Sequence, residues 1–159
     1  MFTECYCTQF RRSSRALTRL YDAALKDHDI RITQFSLLRA LQRLGAATFR
    51  ELAEEVVLDT TTISRNVKIL DAAGWVTFDT TTDGREKKIG LSRAGARKLD
   101  AATASWRVAQ DQILASAKEI FAARKGDPLI DTLEKLQALS GDADFQEPPP
   151  VRGKKRKAA

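Results

Sequence analysis

Two stretches carry side chains whose types and spacing could do chemistry. The first is TTTISRNVKIL, residues 60–70. Helical spacing gathers Thr60, Thr61, Thr62, Ser64, Arg65 and Lys68 onto one polar face, with no carboxylate until Asp71. Hydroxyls there can meet phosphates or base edges. Arg65 has the planar fork for a bidentate contact to guanine, and Lys68 suits a phosphate. The second is TTDGREKKIGLSRAG, residues 81–95. It sets Asp83, Gly84, Arg85, Lys87 and Lys88 between two strand-like runs. Gly84 lets the turn take a positive φ. Asp83 would repel an anion unless it orients Arg85 by a paired hydrogen bond. Both sets of residues suit the binding of a polyanion.

Bond-making chemistry finds no support. The chain has no Ser–His–Asp order and no phosphate-cradling glycine loop, and its one histidine, His28, sits in a charged linker. Two cysteines and one histidine cannot supply a four-ligand zinc site. No enzyme activity, cofactor or metal is expected. No run approaches the roughly 20 apolar residues of a membrane span, and the N-terminus lacks an uninterrupted apolar signal core. A cytoplasmic protein without membrane partners is expected, with Cys5 and Cys7 as reduced thiols. The formal charge of +6 is misleading as a DNA signal. Arg152, Lys154, Lys155, Arg156 and Lys157 supply five of the 27 basic residues, and the others nearly balance the 21 acidic ones. Charge placement must carry the argument.

The elements that position these residues follow from periodicity. A helix is expected over about 5–27, with Phe10, Leu17, Leu20, Tyr21, Ala24 and Leu25 as its apolar positions. Thr33 is expected to cap a second helix that Gly45 stops. Thr48 and Glu51 form a capping box for a third helix. Asp59 or Thr60 caps a fourth, which buries Ile63, Val67 and Leu70 and stops at Gly74. WVTFDTTT and KIGL read as the strands of a hairpin. Ser92 caps a long helix over 93–122 with a seam at Leu99, Ala102, Trp106, Ala109, Ile113, Ser116 and Ile120. That seam is expected to meet another chain. A last helix spans about 127–140, and a proline-rich basic tail follows.

The order is three helices, a strand, a charged loop, a strand and a helix. A helix-turn-helix followed at once by a hairpin is a winged helix. The fold expected is mainly α with a small β-hairpin wing, as a winged helix-turn-helix plus a helical dimerisation domain. The recognition helix would fill a major groove, and the loop would reach sugar-phosphate or the minor groove. A solvated helix face and a plain polar hairpin are the bland alternatives for the two stretches.

At this point the sequence resembles the MarR family of winged-helix transcriptional regulators. The matching features are ELA (51–53), TTTISRNVKIL (60–70), GWV (74–76), DGR (83–85) and LSRAG (91–95). The resemblance covers about residues 5–140. It implies a homodimer that binds double-stranded DNA at pseudo-palindromic operators, with half-sites about 10–10.5 bp apart. It places Arg85 at the minor groove with Asp83 holding it. The family often has an arginine just after the start of the first wing strand, where this chain has Phe78 and Asp79. Wing electrostatics would then lean on Arg85, Lys87 and Lys88.

The expected organisation assigns 31–98 to the DNA-binding domain. Residues 1–30 and 123–140, with the C-terminal part of 93–122, form the dimerisation region, and 141–159 the disordered basic tail. Tyr21, Phe35 and Trp106 read as core, or as the lining of a pocket for the small aromatic or phenolic effectors that family members often receive. Cys7 resembles the reactive cysteine of the family's hydroperoxide-sensing branch. Tyr21 matches one tyrosine partner of that cysteine, while Ile32 replaces the other. Release from DNA by a ligand or by thiol oxidation is the expected regulation. A winged helix used for protein contacts is the competing reading.

Overall fold

A computed structural model describes residues 5–80, 87–116 and 133. The elements are α1 (Tyr6–Ala24), a 3-10 turn (Lys26–His28), α2 (Ile32–Leu44), β1 (Ala46–Thr48), α3 (Phe49–Val56), α4 (Thr60–Ala72), β2 (Val76–Thr80), β3 (Lys87–Leu91) and α5 (Arg93–Ser116). The expected loop at 81–86, the continuation of the long helix to 122, the helix at 127–140 and the tail lie outside the described residues. Residues up to Ile113 belong to one compact unit.

Its core is built where apolar positions recur at helical spacing. Phe35, Leu37, Leu38 and Leu41 of α2, Leu52 of α3, and Ile63, Val67 and Leu70 of α4 are buried with Ile89 and Leu99. Each such side chain contributes about 1.5–3 kcal/mol on leaving water. The expected stripe of α4 is the one that is buried.

Helix starts depart from expectation at one place. Thr33 does not cap α2. The N-cap is Arg31, and Asp22 of α1 supplies the acceptor for the Ile32 backbone N–H at 2.8 Å. The same carboxylate meets the Arg31 guanidinium at 3.2 Å. Gln34 accepts the Arg31 N–H at 2.9 Å from three residues on, whereas the Asp22 part of the cap comes from another helix and leaves no local sequence signature. The other caps are local. The Glu51 N–H donates to the Thr48 hydroxyl at 3.2 Å, and the Thr48 N–H donates to the Glu51 carboxylate at 2.8 Å. Asp59 accepts from the Thr62 N–H at 2.8 Å and from its hydroxyl at 2.6 Å.

These caps make an acid-dependent contribution. The Thr62 hydroxyl and N–H hold the Asp59 carboxyl below its ordinary value of 3.8, and the Thr48 N–H and hydroxyl do the same for Glu51 below 4.5. A depressed folded-state value means stability that is full above the unfolded value and is lost as pH falls through the folded one. Urea midpoints should therefore stay flat from neutral pH to about pH 5 and decline below it. In Asp59→Asn, which keeps an acceptor but cannot titrate, the decline should be shallower. A midpoint that rises on acidification would contradict this assignment.

The sheet has a third strand that the pattern did not announce. Its order is β1-β3-β2, all antiparallel. Ala47 pairs with Ile89, and Phe78 pairs with Ile89 from the other side. β1 is only three residues of Ala-Ala-Thr, which read as a link between helices. It is a strand because β3 offers it a free edge.

The hairpin is fastened to α5 at the LSRAG segment. The Ser92 hydroxyl donates to the Gly74 carbonyl at 2.7 Å and accepts the Gly95 N–H at 2.9 Å. The Ser92 N–H donates to the Trp75 carbonyl at 3.0 Å. Ser92 thus caps α5, as expected, and ties the exit of α4 to the helix that follows the wing.

The long seam needs correction. Leu99 and Ala102 are buried in the core of the same chain, Trp106 packs against it, and Ala109 is buried too. This part of the seam therefore faces its own chain. Apolar surface left open lies on Val108 and Leu114 of α5, off these seam positions, and on α1, where Tyr6, Phe10 and Leu17 are exposed and no residue is buried.

Candidate nucleic-acid interface

α3 and α4 are joined by a tight turn at Val57–Asp59. Val57 ends α3 in the left-handed region at φ 53, with the Leu58 N–H reaching back to the Ala53 carbonyl at 3.0 Å. A β-branched residue there is strained. The turn sets α4 across α3 with its buried stripe inward. Its outward stripe holds Thr60, Thr61, Arg65 and Lys68, all exposed, with Ser64 half-buried beside them. Thr62 is half-buried, and its hydroxyl is engaged with Asp59 at the cap.

The two wing lysines separate. Lys87 stands opposite Thr80, and Lys88 opposite Asp79 and Thr48. Strand alternation puts Lys87 on the same face as buried Ile89, towards α4. There it lines a notch with Ser64, Lys68, Phe78 and Asp71. Lys88 takes the other face, and its charge helps to lower the Glu51 carboxyl. Among the described residues, Arg65, Lys68 and Lys87 form no ion pair, while Arg43 pairs with Glu55 and Arg50 with Glu54. The structure therefore brings Lys87, and not Lys88, beside the face of α4. Period-two alternation could have revealed that the two lysines part to opposite faces, but not which face meets α4. Phe78, 40% exposed in the same notch, was legible only as a departure from the family. Asp83 and Arg85 lie outside the described residues.

The three aromatics meet as a stack. Trp106 lies between Tyr21, with ring centroids 6.5 Å apart, and Phe35, at 5.9 Å. The Arg39 guanidinium sits 4.4 Å from the Trp106 ring centroid. The Tyr21 hydroxyl donates to Gln110, and burial raises its pKa. A larger open cleft of about 780 Å³ lies elsewhere, between the 3-10 turn and the exit of α4 at Ile69 and Trp75. His28 is held by structural contacts: its Nε2 is 2.9 Å from the Ser105 hydroxyl, and its carbonyl accepts from Lys98 at 2.9 Å.

Cys5 and Cys7 are both exposed free thiols. Cys5 occupies the N-cap of α1. The Thr8 hydroxyl, and then the Thr8 backbone N–H, lower its thiol from the ordinary value. Cys7, the second residue of α1, was the candidate from the sequence.

Among the described residues no group of three or more His, Cys, Asp or Glu could hold a metal ion, and no helix is long and apolar enough to cross a membrane.

Comparison with known proteins places this geometry. The sequence pattern of the MarR family matches residues 28–86. The HTH-type transcriptional regulator YwoH of Bacillus subtilis is 23% identical over 111 residues, covering 70% of this chain and 81% of that protein. The transcriptional regulator MosR of M. tuberculosis, solved in complex with DNA, is 30% identical. The match covers 87% of this chain and 98% of MosR with a TM-score of 0.75. CouR of Rhodococcus jostii, solved bound to p-coumaroyl-CoA, shares the fold at 19% identity. That match covers 91% of this chain and 96% of CouR with a TM-score of 0.66.

Proposed function

The chain belongs to the MarR family of DNA-binding transcriptional regulators, and we propose that it works as a homodimeric repressor on a pseudo-palindromic operator. The observation that carries this reading is the exposed stripe of Thr61, Arg65 and Lys68 on α4 with Lys87 of the wing beside it. The stripe fits a major groove, and the lysines fit the phosphates that border it. In this reading Thr60, Thr62, Ser64 and Lys88 support the same contact, and Arg85, held by Asp83, reaches the minor groove. MosR, solved with DNA, supports the choice of ligand.

The homodimer rests on α1. Tyr6, Phe10 and Leu17 follow four- and seven-residue spacing and leave an apolar stripe open. Residues 1–30, the later part of 93–122 and 123–140 form the dimerisation region in this reading. Residues 31–98 form the DNA-binding domain, and the tail at 141–159 adds phosphate contacts without sequence preference. Release comes from an effector that favours a dimer with recognition helices wrongly spaced for the operator. A flat aromatic effector would enter at Tyr21, Phe35 and Trp106 and displace the Tyr21–Gln110 hydrogen bond. CouR, which shares the fold, was solved with p-coumaroyl-CoA, so a small-molecule effector is compatible with this fold.

The test is fluorescence-anisotropy binding to the DNA upstream of the chain's own gene, against a scrambled duplex, across a salt series. One dimer per site on the native duplex alone is the expected result. Equal, steeply salt-dependent binding to both would remove the sequence-specific reading. Absence of binding to both would turn attention to the protein-contact alternative. Oxidative release is a second reading, favoured by an exposed thiol at Cys5 with a lowered pKa two residues from Cys7. Hydroperoxide treatment that changed neither DNA affinity nor the mass of either cysteine would dispose of it.

A further inference from the structure

The notch between α4 and the root of the wing has the chemistry of a single sugar-phosphate unit. It measures about 440 Å³. Its apolar side is made by Phe78, Phe49 and Val67, and of these Phe78 is 40% exposed. Its polar rim is made by Ser64 and Lys68 from α4 and Lys87 from β3. Asp71, at the far end of α4, is the one carboxylate among the lining residues, so two ammonium groups face one carboxylate.

The backbone explains how these groups converge. Ser64, Lys68 and Asp71 recur at four- and three-residue spacing and share one side of α4. Phe78 and Lys87 lie on the same face of the hairpin, because Phe78 pairs with Ile89 and Lys87 is two residues from it. Two elements that are distant in sequence thus each bring one lysine to the same opening. A buried aromatic at position 78 would be ordinary core. Here Phe78 is left 40% exposed in an opening that Lys68 and Lys87 also line.

We propose that this notch seats one phosphodiester of duplex DNA at the edge of the major groove, with its deoxyribose against the Phe78 ring. The lysines and the Ser64 hydroxyl hold the phosphate, and the ring excludes water from the sugar edge. Charge complementarity selects the occupant: the opening joins the outward stripe of α4, so a backbone flanking the groove read by Arg65 passes over it. The inference rests on the DNA-binding reading above and extends it to a residue, Phe78, that cannot contact phosphate through charge. Phe78 would therefore add affinity that does not depend on salt, while each lysine adds affinity that does.

The experiment uses the full chain and a duplex selected by the wild-type protein from a random pool. The duplex is tested intact and with one phosphate at a time replaced by a neutral methylphosphonate. Wild type should lose about tenfold in affinity at one phosphate per half-site, and Lys68→Ala and Lys87→Ala, each with one lysine left, should lose only about threefold at that phosphate. Phe78→Ala should bind about fivefold more weakly with an unchanged slope of log affinity against log salt. Phe78→Leu, which preserves apolar packing, should recover most of that loss. Equal methylphosphonate sensitivity in wild type and both lysine variants overturns the proposal and leaves the DNA-binding reading standing, as does a Phe78→Ala variant that binds as wild type. Failure of wild type to select any duplex overturns both.

Discussion

Gly95→Ala is expected to destabilise the protein by at least about 3 kcal/mol, at the top of the range for overpacking or beyond it. A Cβ at Gly95 would lie 2.0 Å from the Trp75 carbonyl oxygen and 2.9 Å from its carbon, with Leu91 Cδ1 at 3.0 Å. The first two neighbours are backbone and cannot rotate away. The Trp75 carbonyl also accepts the Ser92 N–H, so moving it loosens the start of α5. Trp75 is further held by the Lys98 ammonium 4.9 Å from its ring centroid. The damage would reach function, because the same junction fixes the exit of α4 against the wing. Gly74 is the useful contrast. It ends α4 at φ +69 with nothing within 4 Å of an added Cβ, so Gly74→Ala should cost only about 1 kcal/mol through backbone strain. Urea unfolding of the two variants would check the difference. A Gly95→Ala variant within 1 kcal/mol of wild type would show that the helix and the Trp75 carbonyl are not in close contact.

The second large effect concerns DNA, and it should divide by residue. Arg65→Ala is expected to remove about 1–3 kcal/mol of discrimination at one base pair per half-site, leaving binding to unrelated duplexes nearly unchanged. Arg65 is exposed on the outward stripe, so the fold has little reason to suffer. Lys87→Ala should instead weaken binding to every duplex and reduce the salt slope by about 1. A matrix of single-base operator variants, titrated at three salt concentrations, separates these outcomes. Equal loss on all sequences for both variants would mean that Arg65 reads phosphate and not base. A selective loss with Lys87→Ala would mean that the wing root reads sequence.

The local elements were legible because each has a local cause. The buried stripe of α4 follows from Ile63, Val67 and Leu70 at helical spacing, and Thr48 with Glu51 announces the start of α3 within four residues. The polar face of α4 was legible as its complement. What was misread depended on partners distant in the chain. The cap on α2 comes from Asp22, ten residues before the N–H it accepts, so Thr33 looked like the better choice. β1 is a strand because β3 is beside it. The seam from Leu99 to Ala109 has the same 3-4 spacing whether it meets its own chain or another, and spacing contains no information about the partner.

The candidate site divides along the same line. Sequence alone determined that 60–68 forms a cationic, hydroxyl-rich helix face and that a charged hairpin follows, because helix periodicity and turn chemistry act over a few residues. It also determined that Ser92 caps the helix after the wing, though not why a glycine stands at 95. Only the tertiary structure decided that Ser92 bridges Gly74 and Gly95, that Lys87 faces α4 while Lys88 faces away, and that Phe78 shares a notch with Lys68. Those decisions depend on which face of the hairpin turns inward against the core. That choice is made by burial of Ile89 against the helices, and it has no expression in the order of the charged residues themselves.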